Sequence, residues 1–395
     1  MNIVFVSNYY NHHQSALSAA LNKETKGQFV FIQTMPMESE RINMGWSTDL
    51  QEYVINSYTD KKSYDKCMQL INDADVVITG SAPEKMIRTR IRENKLTFRY
   101  SERIYKNRRK LLQLPLRFIK YHWNNAFSTN TYMLCASAYA AGDYAKTGSF
   151  INKTYKWGYF PEVKRYDDID QLLASKKRAS ILWVGRLIEW KHPDAAIEIA
   201  RQLKEEGFSF CLNIIGNGIL EDKLKKMIKD YNLCDCVHML GAMKPEQVRE
   251  YMERSEIFLF TSDRNEGWGA VLNEAMNSAC AVVASHAIGS VPFLIENGKN
   301  GNIYKSEDLD SLYTTVKWML EHHDERKTIS ENAYDTLVNE WNAENASKKF
   351  LYLAEKILNG VENPDVYKNG VCSKAEISKN DWYKKTQILF QLFYC

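Results

Sequence analysis

Between Ser180 and Ser285 five short apolar runs recur at intervals too long for hairpins. They are SILWVG (180–185), FSFCLNIIG (208–216), CVHMLG (236–241), EIFLFTS (256–262) and CAVVAS (280–285). The gaps between them carry amphipathic helical patterns at 192–206, 219–230, 245–254 and 269–278. Short buried strands joined by helices of that length make βαβ units, hence a parallel sheet with helices on both faces. Further helical patterns follow at 307–320, 326–340 and 343–358. The first half opens in the same way, with NIVFVS, a helix near 14–22, then FVFIQT (29–34), DVVIT (75–79) and TYMLCAS (131–137). Between 80 and 125 the alternation dissolves into charged and aromatic residues. The polar stretch 161–180, which contains Pro161, reads as a linker.

At 395 residues two domains are expected, because single cores rarely grow beyond about 250–300 residues. The reading is α/β, two doubly wound, Rossmann-like domains in series with a central cleft between them. The first spans 1–170, with 376–395 crossing back onto it, and the second spans 171–375. No internal repeat is visible, and no apolar run approaches the roughly 18 residues that would cross a bilayer. The opening residues read as a first strand and not as a signal peptide, having no basic leading region. The eight cysteines are scattered, without C-x-x-C pairs or zinc spacing, which points to a reducing, cytoplasmic compartment. The net charge of +3 hides one imbalance: from Arg88 to Lys120 there are twelve basic residues against Glu93 and Glu102. With the rest of the chain net acidic, nucleic acid is not an expected partner; a local anionic partner is.

Two motifs carry chemistry. GRLIEWK places Gly185, Arg186 and Lys191 directly after the strand SILWV, where open α/β sheets bind ligands. A guanidinium fork and an ammonium suit a diphosphate. Glu266 and Glu274 stand eight apart in NEGWGAVLNEAM. On one helix they would lie about 80° beyond two full turns, in neighbouring directions, and carboxylates accept from vicinal diols. Gly267 and Gly269 allow close backbone approach. Gly216-Asn-Gly218 lacks the third glycine of a dinucleotide fingerprint and reads as a tight turn beside a nucleotide. Three D-x-D pairs occur (Asp73/Asp75, Asp168/Asp170, Asp308/Asp310), none beside these motifs, so no metal is expected.

In this order VGRL…K, IIGNG, VHMLGAMKPEQV, SEIFLFTS…EGWG…NEAM and HAIGSVPFLIENGKNG resemble the donor domain of family 4 retaining glycosyltransferases of the GT-B fold, over about 180–358. The resemblance implies that Arg186 and Lys191 bind a donor's diphosphate and Glu274 its ribose. It gives Glu266 and the amides of Gly267, Trp268 and Gly269 the donor sugar, and Gly241 to Lys244 the base. Phe293 stands where the family commonly carries an acidic residue.

The first half resembles the family only loosely and is expected to read the acceptor. The loop NYYNHHQ (8–14) lacks the family's glycine-rich turn; His12 and His13 are candidates there, His13 as a base. Ser101, Glu102 and Arg103 are acceptor-side candidates. The expected activity is metal-independent, retaining transfer from a nucleotide sugar, a uridine diphosphate sugar above all, with no cofactor. The catalytic set is Arg186, Lys191, Glu266 and His13. The basic segment 88–120, with Leu111, Leu112, Leu114 and Leu116, points to an anionic membrane surface at the inner face of the cell membrane and a lipid-linked glycan acceptor. The rival readings are a nucleotide-sugar epimerase on the same fold and a non-catalytic nucleotide-sugar binder.

Overall fold

The computed structural model describes residues 1–39, 49–106, 114–125, 128–378 and 381–384, which form two compact units. The first comprises Met1–Glu162 and Glu340–Ser378. Its sheet holds β1 (Ile3–Ser7), β2 (Phe29–Gln33), β3 (Val54–Asn56), β4 (Val76–Thr79), β5 (Thr97–Ser101), β6 (Thr131–Cys135) and β7 (Thr154–Lys156). All are parallel, in the order β3-β2-β1-β4-β5-β6-β7. On one face Val4, Val6, Ile32 and Val77 pack against Cys67 and Ile71 of helix Lys61–Asp73 and Met86, Ile87 and Ile91 of helix Glu84–Arg92.

The region 80–125, unreadable as alternation, contains helix Glu84–Arg92, β5 and helix Leu114–Asn125. The cause is that charges there serve internal structure. Arg90 is fully buried and donates to the carbonyls of Ile71, Ala74, Asp75 and Leu96 at 2.6–2.9 Å. Arg99 forks onto Glu84 at 2.8 and 3.0 Å. Both count toward the basic segment in the sequence, and neither is available to an external anion.

The second unit comprises Val163–Asn339, with the described residues 381–384. Its sheet holds β8 (Lys177–Val184), β9 (Cys211–Ile215), β10 (Val237–Gly241), β11 (Ser255–Phe260), β12 (Ala281–Ser285) and β13 (Asn302–Tyr304). The order is β10-β9-β8-β11-β12-β13, again all parallel. The chain starts in the middle, runs outward to β10, then returns to β8's other side, so β8 and β11 flank the point where the order reverses. Helix Pro193–Glu205 has Pro at its start, where no amide partner is lost, and buries Ala196, Ile197, Ile199, Ala200 and Leu203. They join Ile181, Trp183, Leu212, Ile214 and Leu259 of the sheet in one core.

Two expected boundaries move. Residues 163–170 belong with the second unit: the Tyr166 amide donates to the Tyr334 hydroxyl at 2.9 Å and Asp170 pairs with Lys327 at 2.9 Å. The return to the first unit begins at Glu340, earlier than the 376–395 expected. Apolar burial is the reason: Phe350 of helix Ala343–Leu358 meets the rings of Phe98 at 4.9 Å and Trp157 at 5.7 Å. Thr154 and Tyr155 of β7 donate to the carbonyls of Ala375 and Pro364. Residues 385–395 lie outside the described residues, as do Arg108, Arg109, Lys110, Leu111 and Leu112.

Candidate nucleotide-sugar site

Because every strand of the second sheet is parallel, everything that follows a strand emerges at one edge. Gly185 and Arg186 follow β8, Gly216 follows β9, Gly241 ends β10, and Thr261 to Glu266 follow β11. The donor-side residues read from the sequence, far apart in the chain, are thereby gathered at the carboxyl edge, the β8/β11 pair at its centre. That edge, at the reversal of strand order, is where doubly wound sheets bind ligands.

Glycine builds the floor. Gly216 has φ 141° and Gly218 φ 155°, and a Cβ on either would overlap a carbonyl, that of Gly185 or that of Leu187. The turns interlock through Gly185 N to Ile215 O (3.0 Å), Leu187 N to Asn217 O (2.8 Å) and Gly216 N to Gly241 O (2.8 Å). Lys244 is exposed and caps helix Pro245–Arg254, its amide bonded to the Gln247 side chain.

The charges are arranged unequally. Lys191 is ion-paired with Glu266, and Ser262 Oγ donates to the same carboxylate oxygen at 3.1 Å. Arg186 is exposed and has no ion-pair partner among the described residues; its guanidinium lies 5.9 Å from the Trp190 ring. The loop Arg186–His192 is clamped to β11. Thr261 Oγ1 accepts from Trp183 Nε1 at 2.8 Å and donates to the Lys191 carbonyl at 2.7 Å, and the Asp263 amide donates to the Trp190 carbonyl at 3.0 Å. His192 sits at φ 49°, between a 3-10 turn and Pro193, which disfavours right-handed helical backbone in the preceding residue. Its Nε2 is 3.6 Å from Asp263 Oδ2, and that neighbouring carboxylate raises the His192 pKa. Ligand atoms of His192, Asp263 and Glu307 lie within 4.8 Å of one another.

Glu266 and Glu274 do not share a helix. The helix is Val271–Asn277, so Glu266 belongs to the preceding loop and the angular argument from an eight-residue spacing does not apply. What holds Glu266 is local: its amide donates to Asp263 O at 3.1 Å and its carbonyl accepts from Gly289 at 3.4 Å. Glu274 is half-buried, and no side chain among the described residues hydrogen-bonds its carboxylate. Burial raises its pKa, with Arg249 acting in the opposite sense. The Trp268 side chain is core, fully buried with Nε1 donating to Asn273 at 2.9 Å, which leaves only its backbone for a ligand. Gly269 has φ 83°, and a Cβ there would run into the Phe260 ring. Phe293 packs 6.4 Å from the Trp268 ring, so the position that departs from the family pattern is filled by an aromatic contact.

Sequence reading missed Thr261 and Ser262 as second supports, and also His192 and Asp263. The Thr-Ser at the end of the apolar run was the signal for the first two; nothing marked Asp263.

Four of the six D-x-D residues have structural work. Asp168 and Asp308 cap helices Ile169–Ser175 and Leu309–Glu321, Asp170 meets Lys327, and Asp75 accepts from the Asn2 amide.

In the first unit His12 and His13 begin the helix that follows β1, with Asn11 as its cap, and Ser101 ends β5. Burial, then His12, lowers the His13 pKa to about 3. The His13 ring is therefore uncharged at neutral pH. Its ring stacks on Tyr159 at 5.9 Å, Tyr159 donates to Glu102 at 2.8 Å, and Lys106 holds the other Glu102 oxygen at 2.5 Å. Ser101 accepts from Tyr144, and Arg103 is buried against Asp143 (3.8 Å) and the Tyr139 ring (4.5 Å). Arg103 is therefore a structural cation, while His12, His13 and Glu102 remain at the sheet's carboxyl edge.

The fold matches Anabaena HepE, solved in complex with UDP, at a TM-score of 0.67 over 90% of this chain and 100% of that one, with 15% sequence identity. The two parallel-sheet units are those of the GT-B glycosyltransferase fold. Residues 164–336 match the model of the family Glycosyl transferases group 1. It is 39% identical over 137 residues to the amylovoran biosynthesis glycosyltransferase AmsK of Erwinia amylovora, covering 33% of each chain. To the N-acetylgalactosamine-N,N'-diacetylbacillosaminyl-diphospho-undecaprenol 4-alpha-N-acetylgalactosaminyltransferase of Campylobacter jejuni it is 32% identical over 153 residues, 39% of this chain and 40% of that one. The matches thus span about a third to two fifths of these relatives' length.

Proposed function

We propose that the protein is a retaining glycosyltransferase of polysaccharide assembly, moving a sugar from a uridine diphosphate donor to an acceptor hydroxyl on a lipid-linked glycan. The observation that carries this is an exposed Arg186, with no ion-pair partner among the described residues, beside a Lys191–Glu266 pair, at the β8/β11 reversal of the unit that matches the group 1 glycosyl transferase model. Support for the donor comes from solved relatives of the same fold bound to UDP and UDP-glucose. Support for the acceptor comes from partial relatives named for amylovoran biosynthesis and for a diphospho-undecaprenol substrate.

On this reading the diphosphate meets Arg186 and draws Lys191 from Glu266, freeing that carboxylate to accept from donor-sugar hydroxyls. Glu274 takes the ribose hydroxyls, and Gly241 to Lys244 border the base. The bond from the anomeric carbon to the diphosphate oxygen breaks while the acceptor oxygen bonds on the same face, its proton passing to the leaving phosphate. Negative charge grows on the diphosphate, so Arg186 and Lys191 stabilise the transition state as well as the ground state. Two cations supply that charge, and no divalent metal is invoked.

The test is transfer of labelled sugar from UDP-sugars to lipid-extracted acceptors, with the product's anomeric configuration read by NMR. An α-donor giving an α-linkage supports the reading. Conversion of donor alone, or an inverted product, overturns it.

A further inference from the structure

Helix Leu114–Asn125 has two faces with different tasks. Its inner face is packed: Arg117 donates to the Ile104 carbonyl at 2.8 Å and lies over the Tyr105 ring, Tyr121 meets the Tyr144 ring at 5.3 Å, and Asn125 is buried. Its outer face carries Leu116 at 73% exposure, Ile119 at 64% and Trp123 at 68%. At about 100° per residue, these three and Lys120 fall within a sector of about 100°. A leucine, an isoleucine and a tryptophan held outward together on one helix are not the scattered apolar residues of an ordinary surface.

We infer that this face docks on an anionic lipid bilayer, with Leu116, Ile119 and Trp123 entering the interface and Lys120 meeting headgroups. Charge selects this occupant over a second protein surface. From Arg103 to Gly142 the sequence contains no aspartate or glutamate, so nothing in that stretch repels an anionic plane. Tryptophan beside lysine on an apolar helical stripe is the composition of helices that lie in a membrane interface. The inference adds a surface to the proposed function and uses that reading only to explain why a bilayer should be near: a lipid-carried acceptor would be presented there.

The experiment is co-sedimentation of the full chain with vesicles of phosphatidylglycerol and phosphatidylcholine, against phosphatidylcholine alone, at low and at about 0.5 M salt. Binding should need the anionic lipid and weaken with salt. The triple variant Leu116→Ser, Ile119→Ser, Trp123→Ser should lose at least about tenfold in partitioning while keeping the wild-type circular dichroism spectrum. Lys120→Glu should lose binding mainly at low salt. Wild-type indifference to anionic vesicles overturns the inference, as does undiminished binding by the triple variant. A change in the sedimenting mass of that variant without change in vesicle binding assigns the stripe to a second copy and overturns it equally. No nucleotide enters the assay, so its failure leaves the donor-site reading standing, and the UDP titration described below fails or succeeds independently.

Discussion

Glu274 illustrates a residue whose stability role and proposed binding role pull apart. Burial disfavours its charged form, so its folded pKa lies above the unfolded value. The folded protein then holds the proton more tightly, and stability falls as pH rises from the unfolded pKa through the folded one. Glu274→Gln should remove that decline, matching or exceeding wild type in melting temperature at neutral pH. It should also weaken donor binding, because a carboxamide accepts less strongly from a ribose diol. Melting curves from pH 4 to 8 and donor KM check both halves; a variant with unchanged KM contradicts the ribose role. At this scale the sequence was informative wherever chemistry stood beside a strand. The sequence put Arg186, Lys191, Glu266 and the glycines at one sheet edge because βα loops of a parallel sheet converge, and the structure gathers them there. Arg103 could not be read correctly, since its partner Asp143 lies forty positions on and nothing local announces the pair.

At the scale of elements, the site depends on how the Arg186–His192 loop is tied to β11. Thr261 is the knot, bonded to Trp183 and to the Lys191 carbonyl. Thr261→Val keeps the shape and leaves a buried indole N–H without its acceptor, a cost of about 1–3 kcal/mol. We expect a lower melting temperature and a raised donor KM; full activity and stability would show that the loop is held elsewhere. Gly216→Ala is harsher, because a Cβ overlaps the Gly185 carbonyl and φ 141° is closed to alanine. Loss of folding or of nucleotide binding is expected, read by circular dichroism and UDP titration. The strands of the second half were legible as continuous apolar runs. β3, β7 and β13 were not, each having only three residues, too few for a periodicity.

Across the whole molecule, the family match at 164–336 and the second unit at 163–339 nearly coincide, so the part with recognisable sequence is a structural unit in its own right. The first unit keeps the doubly wound order but carries charges that serve its interior, Arg90 above all, which is why its sequence reads as irregular. No helix among the described residues is long and apolar enough to cross a membrane. On the proposed function, in which Arg186 and Lys191 supply the cationic charge, transfer should persist in excess EDTA. Loss restored by manganese would instead direct attention to His192, Asp263 and Glu307.

The central claim is that the carboxyl edge of the second sheet binds a nucleoside diphosphate through Arg186. Arg186 is the cleaner probe than Lys191, because removing Lys191 would strand the buried Glu266 carboxylate and confound binding with stability. Calorimetric titration of UDP into wild type and Arg186→Ala, with melting temperatures recorded for both, tests it directly. The account predicts equal melting temperatures without ligand and a loss of affinity in the variant on the order of 2–4 kcal/mol, roughly 30- to 1000-fold. Equal UDP affinity in the two proteins would contradict it.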